Sequence, residues 1–171
     1  MIYIGIDPAF RQKGFSIAII DYSDRTVNFK TFKNGFIDFS GWLLHDSPES
    51  AVICVENSNL QKKTFDMSGT KAVIAQKSRS VGKNQAASQY TYDLCLVMKR
   101  FQVFQISPAE KGKKWTETIF KGVMNTEKLT TNAEKISQDE IDGLQIALHG
   151  KRLALNPRIN TINQQIKPRK K

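Results

Sequence analysis

Only two cysteines and two histidines occur in 171 residues. Cys54 and Cys95 both lie in apolar runs, which predicts buried free thiols in a reducing compartment and no disulfide framework. His45 and His149 are far apart in sequence, each read as a surface or helix-end residue, and no Cys/His spacing of the zinc type is present. No apolar run approaches the ~20 residues that cross a bilayer. The N-terminal apolar run has no basic stretch before it and is interrupted early by Asp7, so no secretory signal is expected and the expected location is cytoplasmic. An internal repeat, a Ser-His-Asp grouping, a Walker loop and a Gly-rich dinucleotide fingerprint are all lacking, which removes the commoner hydrolase and nucleotide-binding readings.

Acid is also scarce in one place. Residues 151–171 hold seven Lys or Arg (Lys151, Arg152, Arg158, Lys167, Arg169, Lys170, Lys171) and no Asp or Glu. The net charge of +10 therefore leaves only +3 for residues 1–150. The length fits one domain over 1–150 followed by a basic tail over 151–171. A polycationic tail suits phosphate backbones, and with no amphipathic helix or lipidation motif beside it, nucleic acid is the expected partner and not a membrane.

What is present is an alternation of short apolar runs and helical patterns. Residues 1–7, Phe15 to Asp21 and Thr26 to Phe32 read as three strands joined by short connections, an antiparallel meander. Phe39 to Leu44 reads as a short helix, and the continuously apolar Ala51 to Val55 as a strand buried on both faces. Residues 57–83 lose periodicity and carry Lys62, Lys63, Lys71, Lys77, Arg79 and Lys83 against one acid, Asp66, which predicts a long basic loop. Asn84 is read as the cap of a helix running through Ala87, Tyr90, Leu94, Val97 and Phe101. Val103 to Ile106 is a strand halted by Ser107-Pro108; Trp115 to Met124 and residues 139–149 are helical, with a polar linker over 125–138. The order β-β-β-α-β-α-β-α-α is that of an α/β domain with a mixed sheet, the first strand and the strand ending at Val55 side by side at its centre.

Four acids stand out against that frame. Asp7 ends the first strand and Glu56 ends the central one, while Asp139 and Asp142 lie three apart at the start of the last helix, on one face of it. Carboxylates at the ends of buried strands are costly to desolvate without compensation. Divalent cations would supply it: oxygen donors favour Mg²⁺ or Mn²⁺, and two such ions serve phosphodiester cleavage, with Asp7 placed to bridge both.

The segments Ile4-Gly5-Ile6-Asp7-Pro8, Val52-Ile53-Cys54-Val55-Glu56, Gly82-Lys83-Asn84-Gln85, Ile106-Ser107-Pro108 and Asp139-Glu140-Ile141-Asp142-Gly143-Leu144 fall in one order across most of residues 1–150. In that combination the chain resembles the RuvC-like Holliday junction resolvases of the ribonuclease H-like superfamily, with divergences that fit a phage or mobile-element member. The resemblance implies a ribonuclease H-like mixed five-stranded sheet flanked by helices. It implies a homodimer, paired through the helix from Asn84 to Phe101, that nicks two opposed strands of a four-way DNA junction. Mg²⁺, with Mn²⁺ as a substitute and two ions per site, would be held by Asp7, Glu56, Asp139 and Asp142. It also implies an aromatic acting at the junction crossover, for which Phe65 is the nearest candidate, and lysines approaching the scissile phosphate, for which Lys111, Lys113 and Lys114 are candidates. The remaining basic residues of 57–83, Lys62, Lys63, Lys71, Lys77, Arg79 and Lys83, would meet DNA. The chain departs from the family at Ala9, where many relatives have Gly, and at Gly143 and Gln145, which replace small apolar residues. Two other readings stand beside this one: a ribonuclease H-like nuclease for other branched DNA or RNA–DNA hybrids, and a non-catalytic structural DNA-binding protein.

Overall fold

In the computed structural model, residues 1–8, 14–61 and 68–156 are described. Strand β1 (Ile2–Ile6) pairs antiparallel with β2 (Phe15–Asp21), and β2 antiparallel with β3 (Thr26–Phe32). On its other side β1 runs parallel to β4 (Ala51–Glu56), with Tyr3 opposite Val52 and Ile6 opposite Val55, and β4 runs parallel to β5 (Phe101–Ile106). The five-stranded mixed sheet has the order β3-β2-β1-β4-β5, so the α/β class and the central pairing expected from the sequence are both present.

Side-chain alternation on β1 splits the core in two. Ile4 and Ile6 point to one face, where they share a core with Phe15 and Phe32 of the sheet and Phe39, Trp42 and Leu43 of helix α1 (Phe36–His45). Tyr3 belongs to the other face, with Ala18, Ile20, Val52 and Cys54. That face is covered by helix α5 (Gln138–Leu155), which crosses β2, β1 and β4 and buries Ile141, Asp142, Gly143, Leu144, Gln145, Ile146, Ala147, Leu148 and Gly150. The crossing is close because both partners lack side chains where they meet. A Cβ on Gly5 would overlap the Gly143 carbonyl oxygen and the Ala147 amide, and a Cβ on Gly150 would lie 2.8 Å from that of Cys54.

Helix α2 (Lys71–Val97) corrects the expected basic loop. It begins at the Thr70 cap, whose side chain accepts from the Val73 amide, and Asn84 lies in its middle. Its buried residues, Ala87, Ser88, Thr91 and Cys95, all fall in the C-terminal part, against β4 and β5. Residues 71–86 include none that is fully buried, and Ile74, Lys77, Val81 and Gln85 are only half-buried, so a strong apolar stripe that betrays a helix in a sequence is missing there. A four-residue helix, α3 (Pro108–Lys111), was also not expected; Ser107 and Glu110 close a reciprocal capping box at its start. Helix α4 (Glu117–Glu127) runs past Met124 into the expected linker, where Leu129 is buried and Thr130 exchanges backbone hydrogen bonds with Arg25 and Val27 beside β3.

The last helix likewise extends to Leu155, so Lys151 and Arg152 belong to it and not to a tail. Lys151 donates to Glu127 at 2.6 Å and to the Tyr22 hydroxyl at 2.7 Å, and its Nζ lies 4.1 Å from the Tyr22 ring centroid. Burial alone would raise the Glu127 carboxyl, but hydrogen bonds from Lys151 and Tyr22 outweigh it and hold the group below its usual range. A carboxyl so lowered contributes stability above the unfolded-state value of about 4.3, and loses it as pH falls through the folded value. Glu127→Gln is expected to cost about 1 kcal/mol at pH 7 in urea denaturation. The gap to the native chain should narrow below about pH 4; a gap of constant size would show that the ion pair is not its source. Residues 157–171, the rest of the expected tail, lie outside the described residues. Among the described residues no helix is long and apolar enough to cross a membrane.

Candidate active site

The parallel register sets the site. Asp7 follows the last residue of β1, Glu56 closes β4, and Ile6 pairs with Val55, so the two carboxylates leave the same edge of neighbouring strands. Open sheets bind ligands at that carboxyl edge. Helix α5 brings Asp142 to the same place in its second turn, where the residue is fully buried. Asp139, three residues earlier, lies in the helix's first turn and is half-buried.

Lys111, at the end of α3, reaches into the middle of this group. Its Nζ is 2.5 Å from Glu56 Oε2, 3.5 Å from Asp7 Oδ2 and 3.6 Å from Asp142 Oδ2. Lys114 approaches Asp142 Oδ2 from the surface, at 3.1 Å. Among the described residues, the buried oxygens Glu56 Oε2 and Asp142 Oδ2 are met only by these ammonium groups. Burial raises the Glu56 carboxyl, and the Asp7 charge raises it further against the pull of Lys111. Burial works to lower the Lys111 ammonium, but Asp7, Glu56 and Asp142 together outweigh it and the group is held above its usual value. A lysine only 8% exposed is kept charged by its company.

The donor set suits a hard divalent cation. Every candidate ligand is a carboxylate oxygen, two of those oxygens are buried with only ammonium partners among the described residues, and the cluster already encloses one positive charge. Among the described residues, however, no three acidic, His or Cys side chains stand together as a ready-made metal site; the three acids are arranged around the lysine.

Several polar residues that hold this arrangement escaped the sequence reading. Gln138 donates to Asp142 Oδ1 at 2.7 Å and orients it; a Gln four residues before an Asp in a helix is a legible pair. Asn57, 1% exposed, donates to Gln105 at 2.8 Å and accepts from the Asn59 backbone, fixing the chain just after Glu56. Gln145, 3% exposed, donates to the backbone carbonyls of Lys111 at 2.7 Å and Lys113 at 3.1 Å. No periodicity points to Asn57 or Gln145, because the Gln105 side chain and the carbonyls of Lys111 and Lys113 are brought near them only by the fold.

The other expected contacts are distributed more widely. Lys71, Lys77, Arg79 and Lys83 all lie on the part of α2 with no fully buried residue; Lys77 is half-buried, and its Nζ donates to the Ser68 carbonyl at 2.9 Å. Lys113 is exposed in the turn after α3. Lys62, Lys63 and Phe65 lie outside the described residues. The chain matches no protein-family model and no curated protein.

Proposed function

We propose that the protein is a divalent-metal-dependent endonuclease of the ribonuclease H-like kind, which resolves four-way DNA junctions by paired, symmetric nicks. The observation that carries this reading is the convergence of Asp7, Glu56 and Asp142, from two adjacent strand ends and one helix, on a single enclosed cationic position. Asp7, Glu56, Asp139 and Asp142 would hold Mg²⁺, or Mn²⁺ in its place. When bound, the ion supplies an activated water and neutralises charge on the phosphate.

The chain's own residues account for the rest. Gln138 keeps Asp142 in one orientation, so that its second oxygen stays turned to the cationic position. Lys113 and Lys114 flank the acids and are exposed, which suits them to a phosphate lying over the site. The projecting half of α2 offers Lys71, Lys77, Arg79 and Lys83 to a second stretch of backbone. Further along the same helix Tyr90, Leu96 and Val97 are 47%, 45% and 72% exposed, which favours pairing of two chains there into a homodimer.

A mobile four-way junction incubated with the protein and Mg²⁺, read on all four strands, tests the proposal. Nicks should fall symmetrically on one opposed pair of strands, vanish in EDTA and return with Mn²⁺. Equal cutting of linear duplex, flaps or RNA–DNA hybrid would replace junction resolution with a more general nuclease activity.

A further inference from the structure

The lysine at the centre of the acids raises a question the metal reading does not answer. An ammonium within 3.6 Å of three carboxylates occupies the ground a divalent cation would need. It is not a loose surface chain folded in by chance. The Ser107–Glu110 capping box sets α3, Gly112 ends it at φ 83°, and Gln145 donates to the carbonyls on both sides of that glycine. Gln145 is buried and offers both bonds from a single amide nitrogen, while among the described residues its Oε1 has no hydrogen-bond partner. A buried amide that leaves its oxygen unanswered carries a cost of its own. Among the described residues, Gln145 donates only to the turn that presents Lys111.

We propose that Lys111 is a built-in counter-ion of the acidic cluster, which competes with the divalent cation for the same carboxylates, and that Gln145 is the positioning residue that keeps it there. The inference rests on the metal-dependent reading above and adds a regulation to it. Without metal, Lys111 neutralises acids that would otherwise repel one another in a buried place. Metal entry requires the ammonium to withdraw, so the site gives up affinity in exchange for a metal-free state that stays folded. An ammonium 2.5 Å from Glu56 also cannot serve a phosphate at the same moment, so release by the metal would free it for one.

Calorimetric titration of the full chain with MnCl₂ alone, without DNA, tests this, together with thermal melting in EDTA and in MnCl₂. Lys111→Met should bind Mn²⁺ at least tenfold more tightly than the native chain. It should also melt lower in EDTA and gain more from added Mn²⁺. Gln145→Leu keeps the charge but loosens the turn, and should bind Mn²⁺ several-fold more tightly; damage to packing alone would weaken binding or leave it unchanged. If Lys111→Met does not fold in EDTA, the Gln145→Leu titration decides. Native binding of Mn²⁺ with no tightening in either variant overturns the competition and leaves the metal site standing. Absence of Mn²⁺ binding in the native chain and both variants overturns the metal site itself. Binding by Lys111→Met alone would show the competition at its strongest.

Discussion

Asp7→Asn is expected to lower Mg²⁺-dependent nicking of a four-way junction by about three orders of magnitude or more, corresponding to a loss of several kcal/mol of charge stabilisation. Junction binding should survive. The substitution keeps the size and the hydrogen-bonding shape of the side chain and removes only its charge. Asp7 is the most exposed of the three acids around Lys111, at 22% of its side chain, so the change does not strand a polar group in the core. Lys111 retains Glu56 and Asp142 as partners, and Glu56 loses the like charge that pushes its carboxyl upward. The variant should therefore fold and melt near the native chain. Lys71, Lys77, Arg79 and Lys83, expected at the DNA backbone, lie on α2, and Asp7→Asn leaves the charges of Lys113 and Lys114 in the turn after α3 unchanged. Gel-shift with a labelled junction and a strand-resolved cleavage assay on the same preparation separate the two effects. Cleavage at the native rate would remove Asp7 from the machinery; joint loss of binding and cleavage would point to a structural role.

The parts of this site that were legible in the sequence are those written in strands. Ile2 to Ile6 and Ala51 to Val55 are apolar on both faces, which only a central strand tolerates, and each is followed directly by an acid. The parallel pairing of these strands then left Asp7 and Glu56 little choice but to be neighbours. Asp142 was visible as half of an i, i+3 pair, yet its complete burial was not, because that depends on how near α5 comes to the sheet. Two features were misread for the same physical reason. Residues 71–86 form a helix that faces no core, so they show no apolar stripe and looked like a loop. Lys151 is chemically indistinguishable in sequence from the tail lysines, but a partly buried acid 24 positions earlier, Glu127, claims it. Lys111 illustrates the limit most clearly. A Lys-Gly-Lys-Lys segment reads as a solvated turn or a phosphate-facing one, and nothing local says that its first lysine turns inward while its last stays out.

The nearness of α5 to the sheet supplies the largest expected change in stability. Gly5→Ala adds one methyl group in the second half of β1, where it would overlap the Gly143 carbonyl oxygen and the Ala147 amide and lie 2.9 Å from the Ala147 Cα. All three atoms are backbone, so no rotamer change can make room; α5 must lift. Overpacking by a methyl group ordinarily costs about 1–3 kcal/mol, and a collision with the main chain of α5 belongs at or beyond the top of that range, about 3 kcal/mol or more. The same substitution at Gly122, inside α4 with nothing within 4 Å of the added Cβ, should go the other way and stabilise the chain by up to about 1 kcal/mol, since alanine is the better helix former. Urea denaturation of both variants gives the pair of signs. The effect of Gly5→Ala should also reach the acids: lifting α5 carries Asp142 away from Asp7 and Glu56, so Mn²⁺ binding should weaken even where the variant remains folded. A Gly5→Ala chain as stable as the native one would mean that α5 does not rest on β1 in this way. It would then remove the physical basis for placing Asp142 beside the two strand-end acids.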